Sequence, residues 1–317
     1  MRRTEYEVAV TTADAYLTVV AAQETVRAAQ AGVDRAGTIA TAIRAQVDAE
    51  LRPGADQSRA EAELAAASTQ LIQAQEAVEV SRATLSQFTG VDLSKAVLNP
   101  EGLLRPPPQS SADTSVPKTA AHPSAIEQNA AIDEARAQLR SLERAYFPHF
   151  NLQGAAYGRG SGAELDGRRL GGLNGLGPNV QDYALGVSVT FPLFSLPAIR
   201  AREESQSATV RAQEARAEQI RRELTAQWER AVATMNGARR VALNTPVEVS
   251  SARAASQQAT ARYQAGLATI AEVADAQRLL TQAEIDDTLA RLGVWRALLS
   301  VAAAGGDVTP FIVEASH

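Results

Sequence analysis

Two strand-like stretches in an otherwise helical sequence limit the possible folds most strongly. The first covers residues 150–157 and follows Pro148, and the second covers residues 183–191 and ends at Pro192. Each is about nine residues long, which is the length that a tilted strand needs to cross a bilayer. A two-stranded hairpin is not stable alone in water, and lipid does not tolerate its open edges. The hairpin therefore requires partners that the chain does not supply by itself.

Apolar residues alternate along both stretches, and a loop with eight glycines joins them. The alternation puts Phe150, Leu152 and Ala156 on one face, and it puts the apolar residues of the second stretch on another. We therefore predict that the hairpin lies in a membrane. The predicted membrane-strand residues are Phe150, Leu152, Tyr157, Tyr183, Leu185, Val187, Val189 and Phe191.

Heptad patterns predict long helices on both sides of this hairpin. Apolar residues recur every seven positions through residues 4–48, and a second row follows three positions later, as in a coiled-coil seam. Pro53 and Gly54 predict a reversal, and Gly90 predicts the end of a second helix over residues 56–88. The N-terminal part is therefore predicted to be an antiparallel helical hairpin.

A second helical hairpin repeats the first after a shift of 216 residues. The shift places Leu280 on Leu64 and the Gly266–Leu267 turn on Glu50–Leu51. Its predicted helices cover residues 198–262, with a break at Asn244–Pro246, and residues 270–304. A helix and two strands precede the second copy but not the first. The asymmetry predicts that an N-terminal helix–strand–strand unit is missing from this sequence.

Proline-rich and polar residues separate the two repeats, followed by a helix for which Ser124 is the predicted N-cap. The tail after residue 306 shows little pattern from which secondary structure could be predicted. The predicted division is residues 1–96 (first helical hairpin), 97–123 (linker), 124–147 (helix leading to the strands), 148–194 (membrane hairpin), 195–306 (second helical hairpin) and 307–317 (tail).

Composition argues against several classes of function. The net charge of −5 does not favour a nucleic-acid partner, and no cysteine is present for disulfide or thiol chemistry. Three scattered histidines predict no metal site, and no catalytic constellation or cofactor motif is recognisable. Acidic residues at Glu5, Glu7 and Asp14 interrupt the apolar start, so no signal peptide is predicted. The chain is predicted not to be an enzyme and to need no cofactor.

Three segments in this order resemble the TolC-type outer-membrane efflux protein family. They are residues 122–148, residues 185–194 (LGVSVTFPLF) and residues 261–269 (ARYQAGLAT). The resemblance covers nearly the whole chain. It implies a mainly α fold, with long coiled-coil hairpins in two repeats of the α-barrel type and a two-stranded β-hairpin that contributes to a trimeric transmembrane β-barrel.

The resemblance also implies a function and a set of partners. A homotrimer in the bacterial outer membrane, with helices extending into the periplasm, would be a passive conduit of a tripartite efflux or type I secretion system. Its partners would be outer-membrane lipid, a periplasmic adaptor and an inner-membrane pump. Family members supply four strands per subunit, whereas this sequence offers two. Two alternatives are a truncated, non-conducting helical scaffold and an adaptor-like protein, although no lipoyl-like β module is visible.

The resemblance extends to candidate site residues. Glu272 and Asp275 lie three residues apart on one helix face, at the spacing where the family carries acidic pore residues, and Asp56 has a comparable place in the first repeat. They would form acidic rings that favour cations, or they would simply stabilise a helix N-terminus. The turn of the first helical hairpin, Glu50–Leu51, lacks the Gly–Leu pair that the second turn has at Gly266–Leu267. The candidate adaptor-docking residues are Arg262, Tyr263, Gly266, Leu267, Thr269, Leu51 and Arg52.

Overall fold

The computed structural model describes residues 3–93, 101–105, 107, 119–160, 162, 166–169, 171–173, 177–178 and 180–315. Within these ranges the fold is mainly α, as predicted. Its elements are α1 (Arg3–Asp48), α2 (Gly54–Thr89), α3 (Pro123–Arg144), β1 (His149–Arg159), β2 (Val180–Thr190), α4 (Leu196–Gln264), α5 (Ile270–Gly305) and α6 (Thr309–Ala315). Most of the predicted linker, residues 97–123, lies outside the described residues.

The chain divides into two compact units, which are described separately. One unit comprises Met1–Glu127 and Glu218–His317, and the other comprises Gln128–Ala217. The first contains the helical hairpins, and the second contains the strand pair with parts of α3 and α4. No helix among the described residues is long and apolar enough to cross a membrane.

The first helical hairpin forms as the heptads predict. Near its turn, Ala40 and Ile43 of α1 pack in one buried cluster with Ala60 of α2. At the other end Val19 packs with Leu85, so the two helices run antiparallel. Gly90 ends α2 in the left-handed conformation (φ +70°), where its N–H donates to the Ser86 carbonyl.

The largest core cluster gathers α1, α4 and α5 around two buried tryptophans, Trp228 and Trp295. The Trp295 indole N–H donates to the Arg105 carbonyl at 2.8 Å. Its ring also meets Phe311 of α6 edge-on, with 6.2 Å between the ring centroids. The C-terminal tail, which carried little signal in the sequence, therefore contributes a helix to this core.

The predicted break in α4 is wrong, because the helix continues through Pro246. Proline inside a helix removes one backbone hydrogen bond and costs about 3 kcal/mol. Packing on both sides offsets this cost: Met235 belongs to the main core, and Ala252 packs with Leu280 of α5. Beside the proline, the buried Thr245 hydroxyl donates to Asp287 Oδ1 at 2.8 Å.

The predicted N-cap of α3 is also wrong by two residues. The helix begins at Pro123, a residue suited to the first helical position. His122 Nδ1 accepts a hydrogen bond from the Ser124 N–H at 3.2 Å, so the imidazole takes the capping role. The sequence does not reveal this role, because histidine is not among the preferred N-cap residues.

We predict that His122 makes the stability of the unit with the two helical hairpins, here called the helical unit, depend on pH. Burial lowers its pKa below the ordinary 6.5, outweighing its hydrogen bond to the Ala303 carbonyl, while the nearby Arg3 lowers it further. The unfolded chain therefore takes up the proton at a higher pH than the folded chain. The stability that the neutral, buried His122 contributes is complete above pH 6.5. It is lost as the pH falls below 6.5, because the unfolded chain binds the proton first.

Thermal unfolding at pH 7.5 and pH 5.5 tests this. We expect the midpoint to fall by about 2–4 °C more in the wild type than in His122→Asn, which keeps an N-cap acceptor but does not titrate. Among the described residues, the charged or titratable groups near His122 include Tyr6, whose pKa burial and Asp307 raise to about 12, and Arg3 with its partners Glu7 and Glu127. Equal falls in both proteins would remove His122 as the cause.

The two strands pair in antiparallel register over eleven residues each. Phe150 faces Val189 and Leu152 faces Val187. Directly paired residues point to the same side of a sheet. The two apolar rows therefore share one face, which corrects the prediction that they lie on different faces. Two predicted membrane-strand residues depart from this row: Tyr157 pairs with Asp182 on the other face, and Phe191 lies just beyond the end of β2.

Candidate functional site

The turns that end α1 and α4, here called the first and second tips, have the same backbone conformation. Glu50 has φ +58° and Gly266 has φ +73°, so both are left-handed. The N–H groups of Leu51 and Leu267 donate to carbonyls five residues earlier, both at 2.8 Å. This is the Schellman arrangement that closes a helix C-terminus. The missing Gly–Leu pair of the first tip therefore does not change its shape.

A three-residue contact joins the two tips. The Arg52 guanidinium lies 4.3 Å from the centroid of the Tyr263 ring, and its Nη2 donates to the Tyr263 carbonyl at 2.6 Å. The Tyr263 hydroxyl donates to Asp56 Oδ2 at 3.1 Å. Burial, followed by the Asp56 charge and hydrogen bond, raises the pKa of Tyr263. From the sequence, Asp56 is predicted at a pore constriction, and Arg52 and Tyr263 are predicted in a docking surface. The structure brings these three residues together in one contact.

The remaining docking candidates divide into exposed and structural residues. Leu51 is 74% exposed and Leu267 is 70% exposed. Arg262 donates to the Leu267 carbonyl at 3.3 Å, across the turn that Gly266 makes. Thr269 is the N-cap of α5. The two leucines are therefore the apolar surface that the tips present.

The two candidate pore carboxylates on α5 both have local partners. Glu272 completes a capping box, because its Oε1 accepts from the Thr269 N–H at 3.1 Å. Asp275 Oδ1 lies 3.3 Å from an Arg278 nitrogen. The structure thus bears out the helix-terminus role for Glu272, and the pore role of both residues stays a prediction. Among the described residues, no group of three or more acidic or histidine side chains could hold a metal ion.

We predict that the tip contact depends on Arg52 more than on the Tyr263 hydroxyl. Arg52→Ala removes both the stacking on Tyr263 and the hydrogen bond to its carbonyl, worth about 1–3 kcal/mol together. Tyr263→Phe removes one partly exposed hydrogen bond, worth about 1 kcal/mol. Hydrogen exchange of the tip amides is expected to accelerate by about tenfold or more in the first variant and by about fivefold in the second. Equal, small effects would contradict a contact organised by Arg52.

The strand hairpin exposes its apolar face. Leu185 is 81% exposed, Leu152 is 74% exposed and Phe150 is 73% exposed. The opposite face carries Asn151, Gln153, Asp182, Ser188 and Thr190. A sheet with one apolar and one polar side suits a barrel wall with lipid on one side and water on the other.

A family model for the outer membrane efflux protein matches residues 120–307, which include the strand hairpin and the second tip. The chain belongs to this family. The match begins after α2, so the first helical hairpin lies outside the matched residues. The TolC-type resemblance is therefore confirmed.

Solved outer-membrane channels share the fold of this efflux-family chain. VceC of Vibrio cholerae is 17% identical with a TM-score of 0.78, and it aligns with 95% of this chain and 70% of its own. MtrE of Neisseria gonorrhoeae is 21% identical with a TM-score of 0.74, and the alignment covers 95% of this chain and 66% of MtrE. CmeC of Campylobacter jejuni is 16% identical with a TM-score of 0.75, and the alignment covers 95% of this chain and 62% of CmeC. The chain thus spans about two thirds of the length of these channels. No curated protein matches the sequence.

Proposed function

We propose that this efflux-family protein is an outer-membrane channel subunit that acts as a passive export conduit. It works as a homotrimer, with its helices in the periplasm, and an inner-membrane pump supplies the energy through a periplasmic adaptor. The observation that carries the proposal is the exposed apolar face of the strand hairpin, opposite a polar face, in a member of this family.

The hairpin becomes stable only when its two edges are paired. In a barrel, strands of neighbouring copies pair with β1 and β2, the apolar face meets lipid, and the polar face lines the lumen. Three copies of this hairpin supply six strands, fewer than the eight of the smallest bacterial barrels. A barrel therefore needs more strands than three copies of this hairpin supply, and the chain spans about two thirds of the length of the related channels.

Two exposed apolar rows suit the contact between neighbouring copies. Ile72 and Val80 lie two turns apart on α2, and they are 63% and 60% exposed. Leu243 and Val247 lie one turn apart on α4, and they are 73% and 62% exposed. Leucine and valine gain about 1.5–3 kcal/mol each from full burial. We propose that α2 of one copy packs on α4 of the next.

The tips are the proposed adaptor-docking surface. Their shared backbone conformation and their exposed leucines, Leu51 and Leu267, offer an adaptor two similar sites per copy. The carboxylates Glu272 and Asp275 at the start of α5, with Asp56 at the start of α2, form the proposed pore constriction near the same end.

Native mass spectrometry of the detergent-extracted protein tests the assembly. The wild type is expected to contain three copies. The double variant Leu243→Glu and Val247→Glu introduces charge into the proposed contact, so it is expected to be largely monomeric. Asn244→Glu, beside this row, is the matched control and retains the trimer. A monomeric wild type would instead favour the non-conducting scaffold.

A further inference from the structure

Arg278 connects the candidate constriction to the neighbouring helix. It lies one turn beyond Asp275 on α5, and its side chain is 61% exposed. One guanidinium nitrogen, Nη2, lies 3.3 Å from Asp275 Oδ1 and 2.9 Å from Glu63 Oε1 of α2. A single positive charge is therefore shared between two carboxylates on two helices.

A second guanidinium lies beside the carboxylate one turn closer to the tip. Arg262 of α4 lies 4.0 Å from Glu272, so each carboxylate at the start of α5 has a guanidinium within 4.0 Å. Arginine stays protonated at every physiological pH. The exposed beginning of α5 is consequently a surface of mixed charge and not an acidic one.

We infer that Arg278 is a specificity-determining residue of the constriction, where it offsets the acidic charge and limits the preference for cations. This inference rests on the proposed channel function. In a threefold assembly, each ring of Asp275 carboxylates has a ring of Arg278 guanidinium groups directly beside it. Rings of acidic side chains favour cations and rings of basic side chains favour anions, so the pair discriminates less than the acids alone would.

A purely structural role for Arg278, as a link between α2 and α5, predicts something different. Removing such a link lowers the stability of the helical unit but leaves the ion selectivity of the channel unchanged. An exposed ion pair contributes little to stability, whereas a charge within a Debye length acts on every ion that passes. The local potential beside Arg278 and the ion selectivity of the channel are therefore the two quantities to measure.

The absence of native cysteine makes that measurement possible. Leu279, next to Arg278, is 51% exposed, so Leu279→Cys introduces a reactive thiol without opening the core. Two methanethiosulfonate reagents modify this thiol, one with a positive quaternary ammonium group and one with a negative sulfonate group. The ratio of their two modification rates is measured. Arg278→Gln is expected to raise this cation-to-anion ratio by about threefold or more in low salt, and Asp275→Asn is expected to lower it.

The matched control is Arg222→Gln, which removes an exposed arginine of α4. Arg222 lies about 45 Å along α4 from Ala252, the residue that packs on Leu280 near Arg278. It is expected to leave the ratio unchanged. An unchanged ratio in Arg278→Gln, or an equal change in the control, overturns the inference.

The reversal potential in a planar bilayer under a salt gradient completes the test. Arg278→Gln is expected to shift it towards the cation equilibrium potential. A changed thiol ratio together with bilayers that never conduct would contradict the proposed channel but support the charge assignment to Arg278. Conducting bilayers whose reversal potential is unaltered by Arg278→Gln would contradict the role of Arg278 alone, whatever the thiol ratio.

Discussion

Val187→Arg is expected to abolish stable membrane insertion. Val187 is 71% exposed and lies opposite Leu152 in the apolar row of the strand hairpin. Arginine on the lipid face of a barrel costs about 2–4 kcal/mol per copy near the bilayer midplane. Three copies would multiply this cost. Flotation of the protein with outer-membrane lipid vesicles measures the loss.

Ser188→Arg is the matched control, because the neighbouring residue lies on the polar face. It should float with the vesicles like the wild type, since the lumen of a barrel accepts charge. Both positions are exposed in the single chain, so neither variant is expected to change the unfolding of the helical unit. Equal loss of flotation, or none, would contradict the assignment of the two faces.

Gly306→Ala is expected to destabilise the helical unit by about 2–5 kcal/mol. Gly306 ends α5 with φ +83°, a conformation that costs an L-residue about 1–2 kcal/mol. A Cβ at this position would lie 2.9 Å from the ring of His122 and 3.0 Å from its Cα, where overpacking adds about 1–3 kcal/mol. Urea unfolding measures the sum.

Gly90→Ala separates the two contributions. Gly90 ends α2 with φ +70°, but nothing lies within 4 Å of a Cβ built there. It should therefore lose only the backbone part, about 1–2 kcal/mol. If Gly306→Ala costs no more than Gly90→Ala, then the contact between the end of α5 and the start of α3 is not tightly packed.

The sequence predicts the helices well because their heptads and end signals agree. Both hairpin turns, the left-handed ends at Gly90 and Gly306, and the antiparallel first hairpin follow from residues close together in the chain. The continuous α4 does not, because tertiary packing and the Thr245–Asp287 hydrogen bond offset an unfavourable local signal. In the same way, α6 depends on burying Phe311 in a core that includes Tyr6 and Leu17, far away in the sequence.

The candidate site shows the same limit. Residue types and spacing identify the tips, but not the contact of Arg52 with Tyr263, because the two residues come from different repeats. The left-handed conformation of Glu50 is not predicted by the sequence either, because glycine is the residue that usually indicates a positive φ. Alternation identifies both apolar rows of the hairpin, whereas their shared face follows from a register that the long intervening loop does not encode.

Conductance is the most direct test of the central claim. The protein is extracted in detergent from the outer membrane of cells that express it, and it is added to a planar bilayer. We expect discrete, long-lived conductance steps of uniform size, which Val187→Arg eliminates. Bilayers that remain silent although flotation shows the protein inserted would contradict the channel and leave an outer-membrane scaffold.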